Sequence, residues 1–336
     1  MTSLREIVES SPRRLVMPIG AYAGLALTGG TVRDVVCDPG AQVAAVLALH
    51  ERLDTPFLLT AMDLSAEAEA FGCSVRLSDD EMPALTGRLV TTGADVARLD
   101  VPIPGDGRTR VHLDAASQLV GAAAATPVLG GMIGPFSLAA RLFGVSEALE
   151  ATLAEPAVIL ALLERVTPFL VGYALEFRRA GAAGIIVAEP AAGLLSPRGL
   201  SRFSTPFVKQ IVDAVQDPNF AIVLHNCGAK LVHLDPILDA GAGIYHFGAP
   251  MDLPEALVRV NGRAIVAGNV DPTFIHAGPP SAVLAQATRL LEAVAGNRGL
   301  VLSSGCDLAP GTPLENVQAL CDAAADYEAR QPEPAR

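Results

Sequence analysis

The sequence predicts an α/β chain folded as a single (β/α)₈ TIM barrel domain over residues 1–336, with an N-terminal helical extension and a long insertion after the second strand. Three observations predict it. Eight short β-rich apolar runs recur along the chain, helical segments lie between them, and Gly, Pro, Asp or Asn follows most runs within a few residues. Continuous apolar runs mark strands covered on both faces, and a strand followed by a helix and another strand gives a parallel pair joined by a right-handed crossover. Barrels of this kind reach the present length of 336 residues around one core.

The elements follow in order. Met1–Glu9 alternates charged and apolar residues at helical spacing, and the first run is Leu15–Gly20. The second is Pro56–Met62. From Ser74 to Thr126 no run fits the barrel, and this interval holds Leu99-Asp100-Val101-Pro102-Ile103-Pro104-Gly105-Asp106-Gly107. An interval that long usually serves a purpose, so it is expected to form a lid or rim over a site. The remaining runs are Pro127–Gly134, Gly184–Ala188, Ala221–His225, Gly243–Phe247, Ala264–Asn269 and Leu300–Ser304, with amphipathic helices such as Pro250–Val260 and Ser281–Ala295 between them. Thr312-Pro313-Leu314-Glu315 is a capping box that starts the last helix, and Gln331–Arg336 reads as a frayed tail.

Composition narrows the function. A net charge of −12 without a basic stripe argues against a nucleic-acid partner. Half the residues are hydrophobic (51%) and only 18% are charged, enough for a large aliphatic core. The uncharged stretch Ala115–Ala140 is long enough for a membrane span, but Pro127, Gly130, Gly131, Gly134 and Pro135 interrupt it, so a buried strand and a helix are expected and no membrane partner. The first residues lack the apolar segment of a signal peptide, which predicts a cytoplasmic protein. Five unevenly spaced cysteines do not make a disulfide framework. Gly29-Gly30 lacks the spacing of a nucleotide-binding fingerprint.

Chemistry concentrates at the carboxyl ends of the runs. His225 and Cys227 lie two apart at the end of the fifth, so an extended chain turns both to one face. Cys306 follows the eighth run at the same end of the barrel. Imidazole with two thiolates is a zinc set, and three protein ligands leave a fourth position open for chemistry. Taken singly, each of these residues is most often an ordinary core residue; Cys37, Cys73, Cys321, His50, His112, His233 and His276 are read that way. A second circle comprises Asp63, Glu67, Glu69, Glu189, His246, Asn269 and Asp271. Among them Glu189, His246 and Asp271 are the catalytic candidates, and Asp63 and Asn269 the cofactor-binding ones. Glu189 and His246 are also candidates for a fourth ligand, while Asp271-Pro272 equally suits the start of a helix. Zinc carrying two thiolates is a weak activator of water and a good binder of a substrate thiol, which points to alkyl transfer onto sulfur. Arg13, Arg14, Lys230 and Arg198 are candidates for holding an anionic head group.

Leu224-His225-Asn226-Cys227-Gly228, Ala267-Gly268-Asn269-Val270-Asp271-Pro272 and Ser304-Gly305-Cys306-Asp307-Leu308-Ala309-Pro310-Gly311-Thr312-Pro313-Leu314-Glu315-Asn316 resemble segments of the uroporphyrinogen decarboxylase superfamily. Within it they resemble the methylcobamide:thiol methyltransferases, whose best-known members methylate coenzyme M. Asp63-Leu64-Ser65-Ala66-Glu67-Ala68-Glu69-Ala70-Phe71-Gly72-Cys73 and Gly134-Pro135-Phe136-Ser137 extend the likeness through the N-terminal half. The resemblance implies a barrel that takes a methyl group from methylcobalamin or another corrinoid, usually on a corrinoid protein, and passes it to a small thiol held as thiolate on Zn2+ by His225, Cys227 and Cys306. It departs from the decarboxylases where those carry arginines for the substrate propionates, since Met17-Pro18-Ile19-Gly20-Ala21-Tyr22-Ala23-Gly24 has none. It departs from the coenzyme M enzymes around Tyr245-His246-Phe247-Gly248, which leaves the thiol open. The rival expectations are a decarboxylase, a methyltransferase acting on a pterin such as tetrahydrofolate, and a corrinoid-binding protein without turnover; a redox pair of Cys227 and Cys306 is the weakest.

Overall fold

A computed structural model of the chain describes residues 3–123 and 125–330. Seven parallel strands form one curled sheet in the order β1, β4, β5, β6, β7, β8, β9. They are β1 (Leu58–Leu59), β4 (Val128–Ile133), β5 (Gly184–Ala188), β6 (Ala221–Asn226), β7 (Ile244–Phe247), β8 (Ile265–Val270) and β9 (Leu300–Ser304). β2 (Ser74–Arg76) and β3 (Ala84–Thr86) form a separate antiparallel hairpin in the insertion. Apart from that insertion, strands adjacent in the sequence are adjacent in the sheet, as helical crossovers require.

The eighth place in the barrel differs from the predicted strand Leu15–Gly20. This segment makes one parallel bridge, Val16 to Leu302, with Met17 N–H donating to Leu302 C=O and Leu302 N–H to Leu15 C=O. The next N–H on that side, Ile19, donates to Ser304 Oγ instead of a ladder carbonyl, and Pro18 has no N–H to offer on the side of β1, with which the segment has no ladder among the described residues. Apolar contact closes the gap instead: Leu15, Met17 and Ile19 join the barrel interior.

Alternation along the strands sorts the core into two. Inward-facing Leu59, Leu129, Ile186, Val223, Ile244, Ile265 and Val301 fill the barrel, whereas Ile185, Val187, Ile222, Leu224, Tyr245 and Phe247 pack outward beneath the helices. Helix Leu4–Ser10 begins with a capping box of Ser3 and Glu6 and turns Leu4 and Val8 into the interior cluster. Arg5 donates to the carbonyls of Gly262 and Arg263 in the loop leading to β8. The helix therefore plugs the amino-terminal end of the barrel.

The uncharged Ala115–Ala140 stretch divides among helix Thr109–Ala122, β4 and helix Pro135–Phe143. Helix Pro156–Arg179 has the length and apolar composition to cross a membrane, and in the fold it buries Ile159, Leu162, Val166, Leu170 and Phe177 in the core. The insertion is tied to the barrel by Arg108, whose guanidinium pairs with Asp63 and, at 2.6 Å, with Glu69, while donating to Ser65 Oγ at 2.9 Å. Gln331–Arg336 lies outside the described residues.

Candidate metal centre at the barrel mouth

Strand register builds this site. Val223 is inward on β6, so His225 is inward two residues later, at the carboxyl end; its register partners are Ala188 on β5 and His246 on β7. Cys227 continues from β6. The loop carrying it runs so close to the next that a Cβ on Gly248 would fall 2.1 Å from the Cys227 carbonyl oxygen, hence glycine there. Cys306 enters from the end of β9 through Gly305, where a Cβ would meet Ala249 N at 2.9 Å.

The ligand atoms of His225, Cys227 and Cys306 lie within 4.8 Å of one another, and His225 Nε2 is 3.5 Å from Cys306 Sγ. The thiols share a proton unequally. A hydrogen bond from Cys306 holds Cys227 down to about 4, while that same hydrogen bond to Cys227 and burial push Cys306 far above the thiol range. A thiolate beside a second thiol that it holds protonated is a pair that only a bound cation would let ionise together. One nitrogen and two sulfurs on three convergent positions fit zinc, with room for one exogenous ligand.

Behind this triad His225 Nδ1 lies 2.7 Å from His246 Nδ1, and His246 Nε2 lies 2.8 Å from Ser303 Oγ, which donates to the Met17 carbonyl. Both nitrogens of His246 are thus engaged, and the ring is fully buried. Glu189 faces away from the triad. Its carboxylate accepts from the N–H groups of Phe136 (3.0 Å) and Ser137 (2.9 Å) and from Ser137 Oγ (2.6 Å), at the start of helix Pro135–Phe143. Asp271 caps helix Pro272–Ala277 through Thr273 N–H, and Asn269 Nδ2 donates to the carbonyls of Gly248 and Met251. Neither borders the cavity described next. Asp63 does, fixed by Arg108 and Ser65.

A cavity of about 150 Å³ opens over the triad. Its wall is mainly apolar, with Ile19, Met62, Leu64, Ala188 and Pro190 from the barrel and Met82 and Pro83 from the insertion, which therefore acts as the expected rim. Asp63, Ser65, Asp307 and Arg141 complete it. Among the described residues both buried carboxylate oxygens of Asp307 have no hydrogen-bond partner, and Arg141 lines this cavity as well as an adjoining groove. Among the described residues no carboxylate lies within ion-pair distance of the Arg141 guanidinium. The expected anion candidates lie elsewhere: Arg13 pairs with Asp54 and Arg14 donates to the Asn297 carbonyl at the amino-terminal end, Lys230 is exposed, and Arg198 lines another groove. Sequence reasoning passed over Ser303 and Arg141. The polar pair Ser303-Ser304 ending an otherwise apolar strand was the one available signal.

Glu67 is fully buried, and burial raises its carboxyl to about 7 although Ile133 N–H donates to Oε1 at 2.9 Å. The native state keeps this proton where the unfolded chain has lost it, so Glu67 favours folding below about pH 4.5 and this contribution is lost as pH rises toward 7. The loss is about 3 kcal/mol at most. Glu67→Gln is expected to gain stability relative to wild type between pH 5 and pH 8 in urea denaturation; parallel curves would contradict the assignment.

Residues 12–327 match the family described as uroporphyrinogen decarboxylase. The methylcobamide:CoM methyltransferase MtbA of Methanosarcina acetivorans is 30% identical over 273 residues, 79% of this chain and 78% of that protein. A uroporphyrinogen decarboxylase of Anaeromyxobacter dehalogenans is 31% identical over 242 residues, 70% and 69% of the two chains. The solved structure of a methyltransferase from Methanosarcina mazei superposes with a TM-score of 0.86 at 26% identity, covering 96% of this chain and 97% of the other. The chain belongs to the uroporphyrinogen decarboxylase family and, within it, to the methyltransferase branch.

Proposed function

We propose that this enzyme transfers a methyl group from a methylated cobamide, carried on a corrinoid protein, to a small thiol, with zinc held by His225, Cys227 and Cys306. The observation that carries the reading is the convergence of one imidazole and two thiols, within 4.8 Å, under an apolar cavity at the barrel mouth. Zinc in that place supplies the positive charge that keeps an acceptor thiol deprotonated at neutral pH. The thiol sulfur attacks the methyl carbon, the cobalt–carbon bond breaks with its electron pair left on cobalt, and the thiol proton goes to solvent. Met62, Leu64, Met82 and Pro190 keep water from the nucleophile, and Arg141 faces the head group, which favours an anionic thiol.

The relatives named above support a cobamide donor. The decarboxylase reading is less well served. A substrate with four carboxylates needs several cations, and of the arginines near the mouth Arg108 is already paired with Asp63 and Glu69.

Zinc-loaded protein mixed with methylcobalamin should convert it to cob(I)alamin under anaerobic conditions when a thiol is present. 2-Mercaptoethanesulfonate and 3-mercaptopropionate should react faster than 2-mercaptoethanol, and Arg141→Gln should erase that order. Loss of carboxylate from uroporphyrinogen with no methyl transfer to any thiol would overturn the proposal.

A further inference from the structure

The site's inner support follows from counting hydrogens. Ser303 Oγ carries one, and its bond to the Met17 carbonyl uses it, because a carbonyl only accepts. Toward His246 Nε2, 2.8 Å away, Ser303 Oγ is therefore the acceptor and Nε2 carries the proton. A doubly protonated His246 would be a fully buried cation, and among the described residues it has no carboxylate against it, so Nδ1 holds a lone pair. The contact of 2.7 Å between the two Nδ1 atoms then requires the hydrogen on His225 Nδ1. Only Nε2 of His225 is left with a lone pair, and it points toward Cys306 Sγ at 3.5 Å.

We propose that Ser303 is a positioning residue that sets the tautomers of His246 and His225 in series, with the Met17 carbonyl as the fixed end, so that His225 presents Nε2 to the metal. The inference rests on His225, Cys227 and Cys306 being the zinc site. It also gives the reduced eighth strand a role, since the bridge between Val16 and Leu302 holds the Met17 carbonyl where Ser303 can reach it. A metal-bound histidine commonly gives its other nitrogen's hydrogen to a carboxylate, carbonyl or water. Here a second histidine and a serine carry that link across three elements to the backbone.

The chain has six histidines, few enough to resolve by nitrogen-15 NMR after selective labelling. In reduced, metal-free wild type, His225 should be the Nδ1–H tautomer and His246 the Nε2–H tautomer. Ser303→Ala should leave both rings as tautomer mixtures and weaken zinc binding about 10- to 100-fold in a chelator competition. Ser303→Thr, which keeps the hydroxyl, should restore both. An Nε2–H tautomer for His225 in wild type would overturn the proposal, as would unchanged tautomers and zinc affinity in a folded Ser303→Ala. Because the tautomers are read without metal or substrate, failure of methyl transfer does not register as failure here.

Discussion

Cys306→Ala is expected to fold, to retain far less than one zinc per chain after desalting, and to transfer methyl groups about 3,000-fold more slowly than wild type. Two factors give that figure. A free thiol at neutral pH is only a few per cent thiolate, so losing the activating cation costs about 30-fold, and losing the fixed position of the sulfur costs about 100-fold more. Cys306 is one of the three proposed ligands and lies half-buried in the cavity wall, so its removal should change stability little. Elemental mass spectrometry on wild type and variant, beside a circular dichroism melt, is the check. Wild-type activity in a variant without zinc would remove the metal from the chemistry.

Glu189→Ala should have the opposite profile, with stability falling by about 3 kcal/mol or more and zinc content unchanged. The carboxyl group, raised to about 7 by burial, satisfies two buried backbone N–H groups and a serine hydroxyl, and leaving a buried donor without its partner costs about 1–3 kcal/mol each. The space around it is tailored: a Cβ on Gly134 would fall 2.4 Å from Glu189 Cγ. Urea denaturation and zinc analysis on the same sample separate the roles. Zinc lost with stability intact would make Glu189 a ligand, one of the parts its position at a strand end suggests in the sequence.

That contrast shows what the chain makes legible. His225 and Cys227 stand out because a two-residue spacing on a strand has one geometric meaning, and Cys306 because a third soft ligand appears at the same end of another strand. Position alone does not distinguish Glu189 from them: both kinds of residue end a strand, and only the helix start at Phe136 and Ser137 reveals where the carboxylate turns. Arg141 sits on a helix, where spacing says which face it occupies but not that the face overlooks the cavity. Ser303 depends on two partners 57 and 286 residues away, so no local pattern announces it. The eight apolar runs foretell the barrel, yet the first of them makes only a bridge to β9, because its Ile19 N–H goes to Ser304 Oγ, and its Pro18 has no N–H to offer β1.

The plug formed by helix Leu4–Ser10 bears on traffic. With Leu4 and Val8 in the interior cluster and Arg5 latched to Gly262 and Arg263, the described residues pack the amino-terminal end of the barrel shut. On the proposed function, two reactants that differ greatly in bulk would therefore pass one doorway. A macrocycle on its carrier protein would stand across the opening and shut the smaller molecule out, so the thiol has to go in first. Departure runs in reverse: the spent macrocycle leaves, and the methylated product follows. Steady-state kinetics should show that queue as a compulsory order, with excess donor competing against the thiol.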